Sequence, residues 1–270
     1  MSLNHLRFTP MLLSRPAPRG LAAETTLLHF VIVTYMVDPS VLRTHLHPRF
    51  EPDCIGIDGA APQGLVSVVT FLDRDFRFIV CPWLTSSFGQ TNYRSYVTDT
   101  VTGEHVAWFF GTCLDSFSFA VPRYLWRLPW HRARMTFSCL YDERAGRYAS
   151  FNVDTDSRWA AARLELEDSG EPPRELAGFS NLEAGLVVLT QPTRGFFFRR
   201  DGALGSYAIR HDRLRPTVGT LNRANYGLLQ RLDLVPERDC RSVHSVLIQR
   251  SVDFTIYLPP VKVAGGVGPV

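Results

Sequence analysis

Between Phe88 and Met135 the chain reads FGQTNYRSYVTDTVTGEHVAWFFGTCLDSFSFAVPRYLWRLPWHRARM, a stretch in which polar groups able to do chemistry are crowded among large apolar side chains. Asn92, Arg94 and Tyr96 are spaced by two, so on a strand they share one face. A guanidinium flanked by an amide and a phenol can hold a carboxylate, Arg94 by a two-pronged bond and its neighbours by single hydrogen bonds. Either that face lines a cavity, or it points outward and Arg94 pairs with an acidic neighbour. His131, next to Trp130 at a helix exit, is either a structural imidazole or a general acid or base. His211 and Asp212 are adjacent on a probable strand, point to opposite faces and so cannot work as a local pair.

Other chemistries are poorly supplied. No phosphate-cradling glycine loop, HExxH helix or GxSxG elbow occurs. His45 and His47 lie two apart on a probable helix and do not share a face, and the five cysteines (Cys54, Cys81, Cys113, Cys139, Cys240) have no CxxC spacing. No metal site, disulfide framework or cofactor is expected. Of the 29 basic residues one is lysine, Lys262, so 28 are arginine. Arginine stays protonated and cannot form a Schiff base. Lys262 falls beyond the last strand-like run and reads as a solvated tail residue.

The elements that must position these groups are mostly strands. With 270 residues, 45% of them hydrophobic, the chain can build a substantial core. The formal charge of +3 is dispersed with no basic run, which gives no reason to expect nucleic acid as a partner. The longest apolar run, Leu27–Val37, is 11 residues long and contains His29, Thr34 and Tyr35, too short and polar to span a bilayer. Apolar neighbours around the cysteines suit reduced thiols, and a soluble, cytoplasmic protein is expected.

Residues 1–26 read as an irregular arm that wraps the domain or frays, 27–260 as one domain and 261–270 as a tail. Strands are expected at 27–37, within 64–80, at 92–97 and 105–113, as hairpins over 133–154 and 193–212, at 158–167, and twice near the end. A helix capped by Asp115 or Ser116 should run to about Arg127 and bury Phe119, Leu125 and Trp126. Others follow Asp38 and Ser180 or Asn181, and 219–235 has apolar residues at helical spacing. Short strands joined by hairpin-length turns make an antiparallel-rich α+β domain.

Several of these segments also carry a resemblance. The ordered set FxxxNxRxYV (Phe88, Asn92, Arg94, Tyr96, Val97), WFF (Trp108–Phe110) and LPxHxARM ending at Met135 resembles the YqjF-like proteins, a family of unknown function. So do LLHFVIVTYMVDPSVLRTHLHPRFEPD, GxxxSYAIRHDRLRP and VDFTIYLPP, so the likeness covers most of 27–260. That family is similar in turn to acetoacetate decarboxylase. The resemblance implies an antiparallel, cone-shaped β-barrel enclosing a cavity, with a few peripheral helices.

In the decarboxylase the Schiff-base lysine lies in a Pro-Lys-Lys segment, and the matching positions here are Pro122, Arg123 and Tyr124. The nucleophile is missing. Arg123 keeps a positive charge there that could hold an anionic substrate or stabilise an enolate. The resemblance thus implies a small-molecule ligand, a carboxylate among the candidates, contacted by Asn92, Arg94, Tyr96, Trp108 and His211. Arg123 and His131 are the candidate catalytic groups of a lyase-like enzyme that uses no covalent lysine. A non-catalytic binding module and a protein-interaction module, a homo-oligomer included, stand as the alternatives.

Overall fold

The protein is described by a computed structural model covering residues 3–57, 59–116 and 120–263, the side chains of Asn4 and Val121 excepted. A 3-10 turn (Leu3–His5) and α1 (Pro10–Leu13) precede β1 (Ala23–Val37), α2 (Pro39–Arg43), β2 (Phe50–Pro52) and β3 (Cys54–Ile55). The long strands β4 (Gln63–Phe78), β5 (Ser86–Asp99) and β6 (His105–Leu114) follow, then α3 (Ala120–Leu125) and β7 (Trp130–Arg132). Next come β8 (Arg134–Asp142), β9 (Arg147–Asp156), β10 (Ala162–Asp168) and α4 (Leu182–Thr190). The last elements are β11 (Arg194–Phe198), β12 (Leu204–His211), β13 (Thr217–Tyr226), α5 (Gly227–Arg231) and β14 (Ser245–Lys262).

Seven strands close a barrel in the order β1-β4-β5-β6-β11-β12-β14, with β14 pairing back onto β1. Every pairing in the ring is antiparallel except β6 with β11. Closure gives each barrel strand a partner on both sides, which removes the exposed edges of an open sheet. From β14 a second antiparallel layer branches off as β13, β10, β9 and β8.

Strand alternation sorts the side chains. Val31, Val33 and Tyr35 of β1, Val66 and Val68 of β4 and Tyr93 of β5 point outward and share a buried core with Tyr148, Phe151, Val153, Leu164 and Leu166 of the second layer. Phe30 and Ile32, Leu65, Val69 and Phe71, and Tyr96 point inward and pack with Leu186, Val188 and Leu189 of α4. So α4 enters the interior of the barrel, consistent with its run of buried residues from Ala184 to Thr190.

Two of the barrel's several bulges show how this pattern is adjusted. One lies in β1 between Leu28 and Val31, where His29 takes a φ of 51° and its Nδ1 meets the Tyr148 hydroxyl at 2.9 Å. The extra residue lets Leu27 and Phe30 both face inward. The other shifts β6 against β5 between Tyr93 and Arg94. There Gly111 passes so close to Trp159 that a Cβ would lie 2.5 Å from the indole.

Several elements differ from the sequence expectation. The first strand starts at Ala23, and the arm before it contains two short helical turns and wraps rather than frays: Leu3 is buried in the inner core and the Phe8 amide donates to Glu183 of α4 at 3.1 Å. The helix expected within 219–235 is β13 followed by the short α5, because pairing of β13 with β10 outweighs the local spacing. The two closing strands are one, β14, and Lys262 is an exposed residue at its end opposite Gly205 rather than part of a tail. The Asp115 carboxylate accepts the Met135 amide at 3.1 Å, and the residues between it and α3 lie outside the described ones. Leu125 is exposed, since the outer face of that short helix meets solvent, and Phe119 lies outside the described residues. Among the described residues, no helix is long and apolar enough to cross a membrane.

Candidate binding cavity inside the barrel

The inward face of β5 carries Phe88, Gln90, Asn92 and Arg94 at every second position, and all four line a cavity of about 60 Å³. At about 10–15 Å³ per water, this holds some four to six water-sized groups, or one ligand of similar size. The lining is otherwise largely apolar, with Phe30, Phe71, Phe109, Ile209 and Phe254 among its walls.

Arg94 is buried, and its guanidinium is anchored on one side only. Nη2 donates to the Leu189 carbonyl at 2.8 Å and to the Tyr96 hydroxyl at 3.3 Å, while Nε has no partner. The Leu189 carbonyl belongs to the last turn of α4, where acceptors are left open and the helix dipole favours a cation. No carboxylate pairs with Arg94 among the described residues. Tyr96 stands behind it: its hydroxyl also bonds Leu189 O at 3.1 Å and Ser67 at 2.8 Å, and Ser67 in turn meets Thr34 at 2.8 Å. His105 adds a second tie to the same helix end, from Nε2 to Val188 O at 3.2 Å, with its Nδ1 2.5 Å from the Asp53 carboxylate. Together these bonds fix the strand, the helix and the guanidinium as one unit.

Asn92 accepts through its side-chain oxygen from Gln90 at 2.9 Å and from Thr112 at 2.6 Å. Those two bonds fix the amide and leave its NH2 as a donor toward the cavity. His211 faces the cavity from β12, stacked on Phe254 with ring centroids 4.3 Å apart, and Nδ1 donates to the Asp212 carbonyl at 2.7 Å. Burial pushes its imidazole down to about 4, so it is neutral near pH 7. Asp212 points away, as strand alternation requires, and pairs with Arg15 at 3.4 Å.

Asp73 was not among the sequence candidates. It follows Val69 and Phe71 on the inward face of β4 and is 2% exposed. One carboxyl oxygen accepts from Thr25 at 3.0 Å; the other has no partner. Burial pushes this carboxyl up to about 7, against the opposing pull of the Thr25 hydrogen bond. The signal was present in the sequence as an acid in register with the apolar residues of a strand. Tyr207, opposite on β12, was also missed; it stacks on Phe109 at 5.7 Å and lines the same space.

Three expected site residues stand elsewhere. Trp108 alternates with Phe109 and so points outward, buried between Phe50 and Phe198 at centroid distances of 5.4 and 4.9 Å. His131 alternates with Trp130: the indole lines the cavity, whereas the imidazole stacks flat on Trp159 at 3.9 Å in a separate outer groove. Burial, reinforced by Arg123 and other arginines, pushes His131 down to about 3. Arg123 lies in that outer groove, with Nη1 donating to the Trp130 carbonyl and 3.5 Å from His131 Nδ1. Arg123 and His131 therefore meet each other but do not converge with Arg94. Lys262 does not line the cavity either.

Solved structures with the same architecture include the acetoacetate decarboxylase of Legionella pneumophila, 16% identical with a TM-score of 0.58 and 94% of each chain covered. The enduracididine biosynthesis enzyme MppR complexed with pyruvate is 15% identical, with a TM-score of 0.59 and again 94% of each chain covered. An acetoacetate decarboxylase-like enzyme from Sphingomonas wittichii RW1 is 12% identical with a TM-score of 0.59, covering 90% of this chain and 94% of that one. Identities this low establish the shared fold. No curated protein matches the chain. The family model DUF2071, described as an uncharacterized conserved protein, matches residues 24–252, and with most of its length matched the chain belongs to that family.

Proposed function

We propose that the barrel cavity binds a small carboxylate, with Arg94 as the anion anchor and Asn92 and His211 as hydrogen-bonding neighbours. Tyr96 acts from behind by holding the guanidinium. The observation that carries this reading is a buried guanidinium facing a cavity without a carboxylate partner and with Nε unused. A buried cation in this state is costly unless an anion completes it. The cavity volume suits an oxo- or hydroxy-acid of a few carbons, and pyruvate is the ligand in the MppR complex that shares the fold.

Any reaction on such an acid proceeds without a lysine Schiff base, since the single lysine is exposed at the end of β14. A binding role without turnover is the second reading. It is favoured by the position of Arg123 and His131 in the outer groove, away from the cavity.

A thermal-shift titration with pyruvate, lactate and acetoacetate, on wild type and Arg94→Gln, tests the proposal. A ligand at 100 times its Kd contributes about 2.7 kcal/mol, a rise of several degrees for a domain of this size. At least one of these acids is expected to stabilise the wild type and not Arg94→Gln. Equal shifts in both proteins, or none in either, would reject the anion site. Product analysis on the stabilising acid then separates an enzyme from a binding protein.

A further inference from the structure

We propose that Asp73 sets the charge state of the cavity: protonated, it leaves Arg94 as the one fixed charge and the cavity takes a small mono-anion; ionised, it cancels that charge and the anion is released. The inference rests on the carboxylate reading above.

The geometry supplies the reason. Asp73 is held by a single neutral hydroxyl, Thr25 Oγ1 at 3.0 Å, and its second oxygen is buried without a partner on the wall of the same cavity. Among the described residues no cation pairs with it. On its own strand Arg74 pairs with Asp75 at 3.8 Å, and Arg77 pairs with Glu24 of β1 at 3.0 Å. The titratable groups facing the cavity from other elements are Arg94 of β5 and Tyr207 and His211 of β12. The cavity residues of β1, β6 and β14 are Thr25 and apolar side chains.

Of the other groups, burial raises Tyr207 far above its ordinary range, and His211 is already neutral above about 4. Asp73, at about 7, is the cavity group whose charge changes around neutrality. The sign follows. Below that value the cavity carries the charge of Arg94 alone, and above it the two charges sum to zero. In a site of effective dielectric near 20, a second unit charge within about 12 Å of the anion changes its affinity by about tenfold or more. The same arrangement disfavours a dianion, whose second carboxylate finds no cation in the cavity.

Calorimetric titration with pyruvate on wild type, Asp73→Asn and Asp73→Ser, at about pH 6 and about pH 8.5, tests this. Asn retains the acceptor for Thr25 and Ser is the smaller substitute should Asn fold poorly. The wild type is expected to lose about tenfold in affinity at the higher pH, while the variants bind equally at both. A wild-type affinity that does not change with pH, or the same loss in the variants, would overturn the inference and leave the anion site standing. Binding by no protein at either pH, with lactate and acetoacetate titrated alongside pyruvate, would overturn the site and the inference together.

Discussion

At the residue scale the interior of the barrel is defined by two buried charges-in-waiting treated differently. Arg94 is anchored on one flank by a helix-end carbonyl and a phenol, and Asp73 is held neutral by burial. This has a consequence for stability as well as for binding. The folded chain keeps the Asp73 proton up to about pH 7, whereas the unfolded chain releases it near the ordinary value of 3.8. Stability is therefore lost as pH rises between those values and stays low above them. Asp73→Asn removes the dependence. The stability difference between Asp73→Asn and wild type, read by chemical denaturation, is expected to grow in the variant's favour by roughly 2–4 kcal/mol between about pH 4 and pH 8. A constant difference across that range would show that the carboxyl is not held neutral.

Much at this scale was legible from spacing alone. Asn92, Arg94 and Tyr96 do share an inward face, and His211 and Asp212 do part company, because the period of a strand is strict. The exclusion of His131 and Trp108 from the cavity follows from the same rule, but it needed the register of β6 and β7, which one sequence does not give. Asp73 was hidden for a different reason. In the run FLDRDFRF four charged residues and a bulge between Asp73 and Phe76 obscure the alternation, so its inward face emerges only once Val69 and Phe71 are placed.

At the scale of elements, α4 is the piece that turns a barrel into a site. Asn181 caps it by accepting the Ala184 amide at 2.9 Å, and its final carbonyls receive Arg94, Tyr96 and His105. Tyr96→Phe would leave the buried Ser67 hydroxyl and the Leu189 carbonyl short of a partner, at a cost of about 1–3 kcal/mol. Because the guanidinium loses the group behind it, the variant is also expected to bind the carboxylate more weakly. A destabilised variant with unchanged affinity would mean that Tyr96 supports the fold but not the site. The sequence placed this helix and its asparagine cap well. That it enters the barrel, and that its last carbonyls are the counterweight to Arg94, depends on contacts some 95 residues apart in the chain.

At the scale of the molecule the two cores divide the labour. The inner one lines the cavity together with a smaller cluster around Phe109 and Leu128; among the described residues the outer one, between barrel and second layer, contributes nothing to the cavity wall. Trp108 belongs to the outer core. Trp108→Ala is expected to cost about 3–5 kcal/mol in denaturation and to change ligand affinity little where the variant remains folded. A large loss of affinity at modest loss of stability would instead place the indole at the site. The barrel class was readable from the strand census together with the family resemblance, while the second layer was not, because β13 carries helix-like spacing and joins the sheet through β10.

The most direct test of the central claim is a calorimetric titration of pyruvate into the wild-type protein and into Arg94→Gln at about pH 6, where Asp73 is protonated. The account predicts saturable binding at one site per chain in the wild type and its loss in Arg94→Gln. Binding of equal strength in the two proteins would contradict it.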